Sequence, residues 1–134
     1  MTNPIRSYRD LDVYQNTYRA AIIVIKEIIP RLPSEEKFDL ADQLRRSTKT
    51  IPRLIAEGFG KKDQLKGFQK YLDDAMTECN ETVVGLSQCR DLYSPPIDTK
   101  LCEEMIDTYD KSGRQLYNLK AAWNNFKFRT TNND

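Results

Sequence analysis

Apolar side chains recur every three or four residues through most of the chain, which is the spacing that places them on one face of an α-helix. Three short breaks rich in proline or glycine interrupt this pattern, at residues 30–33, 58–62 and 94–96. They leave four segments of comparable length, and each segment predicts one long amphipathic helix. In the first segment the apolar series is Leu11, Tyr14, Tyr18, Ile22, Ile25 and Ile29.

The second segment has recognisable helix ends. Ser34 is of the residue type that caps helix N-termini, and Glu35 and Glu36 follow in the first turn, where their charges complement the helix dipole. Gly58 is of the type expected just past a C-terminus, so the helix is predicted to span about residues 34–58. Its apolar face is formed by Leu44, Thr48, Ile51 and Ile55.

The third and fourth segments continue the helical spacing. The third, with Asp63 as its N-cap candidate, is predicted to be the longest helix or close to it. The fourth alternates steps of three and four, a heptad-like series that favours packing near +20° against a neighbour. The third series is Leu65, Phe68, Leu72, Ala75, Cys79, Val83, Leu86 and Cys89, and the fourth is Leu101, Met105, Tyr109, Ser112, Leu116, Leu119, Trp123 and Phe126.

Short connections make consecutive helices run in opposite directions, so the simplest fold is an all-α, antiparallel up-down-up-down four-helix bundle. A helix of nearly thirty residues spans roughly 40–45 Å, which makes the bundle elongated. The bundle domain is predicted to cover residues 10–128. Residues 1–9 and 129–134 lack the apolar repeat and are predicted to be flexible.

Pro52 lies inside the second predicted helix, where it removes a backbone donor at a cost of about 3 kcal/mol. The surrounding fold must compensate for this loss. We expect Pro52 to kink the helix.

Composition narrows the function. The chain has 134 residues, enough for one domain, and contains no histidine, which removes the commonest proton shuttle and metal ligand. Cys79, Cys89 and Cys102 lie in apolar registers without a CxxC pair and are predicted to be reduced core thiols. No catalytic residue, metal site or cofactor is predicted. In the absence of a membrane span or signal peptide, we expect a cytoplasmic protein with no membrane partner.

The net charge of +1 hides a strong asymmetry. Residues 41–70 hold eight cations and three anions, whereas residues 71–110 hold two cations and ten anions. The chain is therefore polarised along its sequence, with a basic second quarter and an acidic third quarter.

The second segment and its flanks resemble a known family. The quoted residues are Gln43-Leu44-Arg45-Arg46-Ser47, Ile51-Pro52 and Ile55-Ala56-Glu57-Gly58, with Tyr8, Asp10-Leu11 and Val13-Tyr14-Gln15 before them and Phe68, Tyr71-Leu72, Ala75, Glu81-Thr82 and Asp91-Leu92 after them. This pattern is similar to that of the four-helix-bundle family encoded by intervening sequences of bacterial large-subunit (23S) ribosomal RNA genes, whose members are often labelled ribosomal proteins. The resemblance spans about residues 8–126. Leu54 and Thr77-Glu78 depart from it, since the family usually has asparagine and often Gly-Ser there.

The resemblance implies a ring-like homopentamer without enzymatic activity. It also extends to accessory proteins of diversity-generating retroelements, which associate with a reverse transcriptase and nucleic acid. RNA or DNA is therefore the implied partner class.

The basic residues near the second break are the candidate phosphate contacts. If the second and third helices form a hairpin that turns near Gly60, most of these cations gather at one end of the bundle. Such a patch would bind nucleic acid without sequence preference and with strong salt dependence. The candidates are Arg46, Lys49, Arg53, Lys61, Lys62, Lys66 and Lys70.

The alternative is a solvated or ion-paired helix face. In the same hairpin Arg45 and Arg46 fall near Asp73 and Asp74, which could neutralise them. The series Asp74, Glu78 and Glu81 is interpreted as a subunit-facing or solvated edge, because three carboxylates without histidine make a poor transition-metal site.

Aromatic side chains raise the question of base stacking. Tyr14 and Tyr18 lie in the predicted apolar series and are expected in the core. Phe59 lies between two glycines in the basic turn and could fold back under the bundle or stack on a base.

The sequence thus indicates a non-enzymatic bundle that associates with nucleic acid through a basic surface repeated around a homo-oligomer. The other hypothesis is a protein-protein interaction scaffold that binds no nucleic acid and docks a protein partner.

Overall fold

The computed structural model is all-α, with four long helices. It describes the backbone of residues 5–133 and the side chains of residues 5–64 and 66–123, and this part of the chain contains no β-strand. The helices are α1 (Asp12–Ile23), α2 (Leu40–Gly60), α3 (Leu65–Leu92) and α4 (Thr99–Asn133). Residues 1–4 and 134 lie outside the described part, so the expected flexibility of the two termini stays a prediction.

The four helices form a bundle around one core. α1 packs against α2 and α4, α2 packs against α3, and α3 packs against α4, so that each helix has two neighbours. The largest completely buried side chains come from all four helical segments, namely Tyr109, Phe68, Ile28, Leu44, Ile51, Ile55, Leu72, Leu86 and Leu116. None of the described helices is long and apolar enough to cross a membrane.

The apolar series predicted for α2 to α4 are largely confirmed. Leu44, Thr48, Ile51 and Ile55 of α2 are all buried. In α3 the position next to Val83 is the better buried one, because Thr82 is inaccessible and its hydroxyl lies 2.9 Å from that of Ser47 in α2. In α4 the series is buried or partly buried through Trp123. The side chains of Leu65 and Phe126 lie outside the described residues.

Helix lengths and thiols also bear on the predictions. α4 has 35 residues and α3 has 28, so α3 is the second longest helix.

All three cysteines are free and buried, as predicted. Burial raises the pKa of Cys79 and of Cys89 to about 12, so both remain protonated and unreactive at neutral pH.

The apolar series predicted for α1 is wrong over its middle part. Tyr18 and Ile22 are 52% and 43% exposed, and the buried face instead consists of Val13, Thr17, Ala20, Val24 and Ile28. Both series have helical spacing, but the folded protein buries the series with the smaller side chains. The buried Thr17 is tolerated because its hydroxyl donates to the carbonyl of Val13 at 2.8 Å. A π-helical turn, Val24–Ile28, ends this stretch.

The start of α2 also differs from the prediction. A 3₁₀ turn occupies Ser34–Glu36, and the α-helix begins only at Leu40. The Ser34 side chain caps nothing there. Glu36 takes that role, since one carboxylate oxygen accepts from the Leu40 amide at 3.4 Å and the other from the Tyr93 hydroxyl at 2.5 Å. Glu36 thereby joins the start of α2 to the end of α3.

Gly58 lies inside α2 rather than beyond its end, because the helix continues to Gly60. A Cβ atom at Gly58 would lie 2.8 Å from Cβ of Tyr71 in α3. The glycine is therefore needed for close approach of the two helices, not for a left-handed cap. The connection after Gly60 is short and consists of residues 61–64.

Pro52 is buried in the middle of α2, and the helix continues for two turns beyond it. Proline cannot donate to the carbonyl of Thr48 four residues earlier. Its ring lines a groove between α1 and α2, so apolar burial offsets part of the lost hydrogen bond. The expected kink stays a prediction.

Alanine substitution should distinguish a glycine that allows two helices to approach closely from a glycine that makes no such contact. Gly58→Ala should lower the free energy of unfolding by about 1–2 kcal/mol, because overpacking against Tyr71 outweighs the better helix propensity of alanine. Gly113→Ala is the matched control. A Cβ there meets nothing within 4 Å, so this change should stabilise the protein by about 0.5–1 kcal/mol. Urea denaturation measures both, and equal shifts of the same sign would contradict the close contact.

Candidate nucleic-acid interface

Three of the candidate cations lie where α2 passes into α3, and we call this segment the basic turn. Lys61 and Lys62 belong to the connection, and Lys66 lies in the first turn of α3. Backbone hydrogen bonds hold this connection, with the Lys61 amide donating to the Gly58 carbonyl at 2.9 Å and the Gln64 amide to the Lys61 carbonyl at 2.9 Å. Lys61 and Lys66 are exposed and Lys62 is half-buried. No ion pair among the described residues involves any of the three.

Aromatic side chains support the basic turn from below. Phe59 is buried, which settles its role in favour of the fold-back alternative. The Lys62 ammonium lies 4.8 Å from the centre of the Phe59 ring, within range of a cation-π interaction. Trp123 of α4 donates its indole N–H to the Lys62 carbonyl at 2.9 Å and packs edge-on against Phe68. The turn is therefore fastened to the end of the bundle.

Two further candidates, Lys49 and Arg53, lie elsewhere. Both are exposed residues of α2, one helical turn apart, and both line the groove between α1 and α2. Pro52 and Ala56 form the floor of the same groove. The structure therefore does not gather all seven candidates into one patch.

Arg46 and Lys70, the remaining candidates, are engaged with carboxylates. The Arg46 guanidinium lies 3.7 Å from Glu78 and 3.7 Å from Glu81, and the Lys70 ammonium lies 3.4 Å from Asp74. The two cationic side chains stay 60% and 75% exposed, so these pairs are weak. A phosphate could still compete for them, although the carboxylates would oppose its approach.

Within one chain, the expected pairing of Arg45 and Arg46 with Asp73 and Asp74 is wrong. Asp73 instead binds Lys120 of α4 at 2.7 Å, and Asp74 binds Lys70. The physical reason is the position of the turn. α3 begins only at Leu65, later than a turn centred on Gly60 would allow, so each residue of α2 meets a residue further along α3.

Glu78 lies between α2 and α3 in surroundings that disfavour its charge. Burial, followed by the neighbouring Glu81 carboxylate, raises the pKa of Glu78 above its ordinary value, and Arg46 opposes this only in part. One of its oxygens is buried without a hydrogen-bond partner. Within residues 5–123, no three acidic or thiol groups surround a site of metal size. The cluster is better described as a bridge between α2 and α3.

Sequence reasoning missed a row of aromatic side chains on the outer face of α1. Tyr8 and Tyr14 meet edge to face with ring centres 4.9 Å apart, and Tyr14 and Tyr18 follow at 5.9 Å. The guanidinium of Arg9 lies 4.6 Å above the Tyr8 ring. The sequence did contain a signal for this arrangement. A second series that includes Val13 also has the three- and four-residue spacing of a helix, so it was an equally good candidate for the buried face.

The comparisons with known proteins agree with the resemblance seen in the sequence. The family model described as 23S rRNA-intervening sequence protein matches residues 9–118, which is most of the chain. No curated protein matches it.

Glu78→Gln should stabilise the protein at pH 7, by up to about 1 kcal/mol, because it removes a buried charge whose raised pKa shows that the folded state disfavours ionisation. Well below the ordinary glutamate pKa the wild-type carboxyl is neutral in both the folded and unfolded states, so the advantage should disappear. Thermal unfolding at pH 7 and pH 3 measures the difference. Glu81→Gln, at a side chain 54% exposed, is the control and should change little. Destabilisation of Glu78→Gln at pH 7 would show that the Arg46 pair outweighs burial.

Proposed function

We propose that this chain, which belongs to the family of 23S rRNA-intervening sequence proteins, is a non-enzymatic cytoplasmic protein that binds RNA or DNA through the basic turn. The observation that carries the proposal is the contrast between its cations. Arg46 and Lys70 have carboxylate partners, whereas the cations of the basic turn have none among the described residues. Asp63 is the acidic residue within the turn and lowers its net charge without cancelling it.

Binding at the basic turn would be electrostatic and independent of sequence. Lysine ammonium groups that neutralise phosphates release condensed counterions, so affinity falls steeply as salt rises. The fastened backbone of the turn means that little order must be gained on binding. Lys49 and Arg53 would contribute only to a ligand long enough to reach the groove between α1 and α2.

We also propose the up-down-up-down topology and a ring-like homopentamer. The topology is supported by contacts that join opposite ends of neighbouring helices. Gly58 late in α2 faces Tyr71 early in α3, and Gly85 late in α3 faces Leu44 early in α2. The pentamer is what the family resemblance implies. A ring would repeat the basic turn five times, and the multivalency would strengthen a weak contact.

A protein-interaction scaffold is the second candidate. It is favoured by the ion pairs that Arg46 makes with Glu78 and Glu81. These pairs hold α2 against α3, and they leave less positive charge at Arg46 for a phosphate to bind. Under this hypothesis the polarised surface would dock a protein, and free nucleic acid would show no affinity.

Reversal of the three charges of the basic turn should discriminate between the two candidates. A Lys61→Glu, Lys62→Glu, Lys66→Glu variant should lose at least about tenfold affinity for a fluorescein-labelled 12-nucleotide RNA at low salt. Its plot of log affinity against log salt should flatten by about two, because each lost contact removes roughly 0.7 from the slope for a single strand. Fluorescence anisotropy at several salt concentrations measures both quantities.

The matched control reverses three exposed lysines that have no ion pair among the described residues: Lys26, Lys100 and Lys111. This variant has the same net charge, so it should lose far less affinity if position matters. Absence of RNA binding by the wild-type protein at low salt, or equal losses in the two variants, would refute the proposed interface.

The assembly has its own test. Light scattering at micromolar concentration should give a mass about five times the 15.6 kDa of one chain. A monomeric mass would contradict the homopentamer, while leaving the basic turn of each single chain able to bind.

A further inference from the structure

A row of three tyrosines lies beside α1: two are half-buried and pack against the edge of the core, and the third is exposed. We call Tyr8, Tyr14 and Tyr18 the tyrosine face. Tyr8 belongs to a short 3₁₀ turn before α1, and Tyr14 and Tyr18 are one helical turn apart. Tyr18 is 52% exposed and takes no part in the core. A large exposed apolar side chain of this kind can mark a binding surface.

Hydrogen bonds within the chain hold the tyrosine face in place. The 3₁₀ turn is closed by a capping box in which Ser7 and Asp10 bond each other's backbone. The side-chain amide of Gln15 then donates to the Arg9 carbonyl at 2.7 Å and ties the turn to α1. Because the rings are held by these bonds and by contact with one another, a ligand that stacks on them would lose little conformational entropy.

Two hollows flank the tyrosine face, and cations line both. A groove of about 500 Å³ runs beside it and contains Lys49 and Arg53, with an apolar floor that includes Pro52. A second, shallower hollow of about 530 Å³ contains Arg9 and Arg19. No carboxylate lines either hollow among the described residues. Exposed aromatic rings are thus bordered by positive charge on both sides.

We propose that the tyrosine face binds single-stranded nucleic acid, with unpaired bases stacked on Tyr18 and its neighbours and phosphates held by the bordering cations. This inference rests on the proposed function and specifies which nucleic acid it concerns. Single strands offer the flat faces of their bases to aromatic side chains, whereas a duplex hides them in its stack. The basic turn attracts any polyanion, and the tyrosine face adds the preference for unpaired bases.

A second copy of the chain is the other occupant that an exposed apolar face could have. The charges favour nucleic acid, because Arg9, Arg19, Lys49 and Arg53 surround the rings and none of them has a carboxylate partner among the described residues. Contact between copies would bury these cations and would require acidic side chains opposite each of them. The test therefore includes the mass of the variant protein.

The test is Tyr18→Leu, which keeps an apolar side chain of helical preference but removes the ring. We expect it to weaken binding of the single-stranded probe, a labelled 12-mer of uridine, by at least about fivefold, as stacking on one base is worth that much. Affinity for a 12-base-pair RNA duplex and for inorganic polyphosphate, which has no bases, should stay within about twofold. Tyr117→Leu is the matched control, because Tyr117 is also an exposed tyrosine, 64% accessible, on a different helix.

The outcomes separate this inference from the proposed function. Unchanged uridine binding in Tyr18→Leu, together with lost binding in the basic-turn variant, would overturn the stacking site and leave the proposed function intact. Equal losses for the single strand, the duplex and polyphosphate would also overturn it. So would an altered mass of Tyr18→Leu by light scattering, since the face would then lie between copies. Absence of wild-type binding to every probe would refute both proposals.

Discussion

The close contact between α2 and α3 determines most of what the rest of the structure can do. Two glycines allow it, one from each helix, because a Cβ at Gly58 or at Gly85 would lie 2.8 Å from a side-chain atom of the other helix. Between them the buried hydroxyls of Ser47 and Thr82 pair at 2.9 Å. A shift along the helix would break this hydrogen bond, although each hydroxyl also lies near a backbone carbonyl of its own helix. The three contacts together therefore set the register.

The register in turn sorts the cations into different environments. It places Arg46 opposite Glu78 and Glu81, where its charge is partly neutralised. It also puts the connection at residues 61–64, beyond the reach of these carboxylates. The position of the basic turn and the ion pairing of Arg46 along α3 are thus consequences of one packing arrangement, and neither can be moved without changing the other.

The sequence predicted the helices well and the contacts between them less well. The apolar series of α2 to α4 each had a single strong register, so burial followed the spacing. In α1 two series had the same period, and Tyr18 was assigned to the core although Val13 and Thr17 occupy it, while Tyr14 lies half-buried at its edge. The register of α2 against α3 could not be predicted from the sequence either, because helical spacing does not specify where a turn begins. The two errors explain why the acidic partners of Arg46 and the tyrosine face were both missed.

Pro52 shows why these features meet in one segment of the chain. Different faces of α2 serve the core and two neighbouring helices, with Ile51 and Ile55 in the core, Ser47 against α3, and Pro52 toward α1. A proline on the α1 side loses one backbone hydrogen bond but presents a compact ring that leaves space for a groove beside the tyrosines. The same residue that weakens α2 as an isolated helix therefore shapes the surface on which we place the single strand.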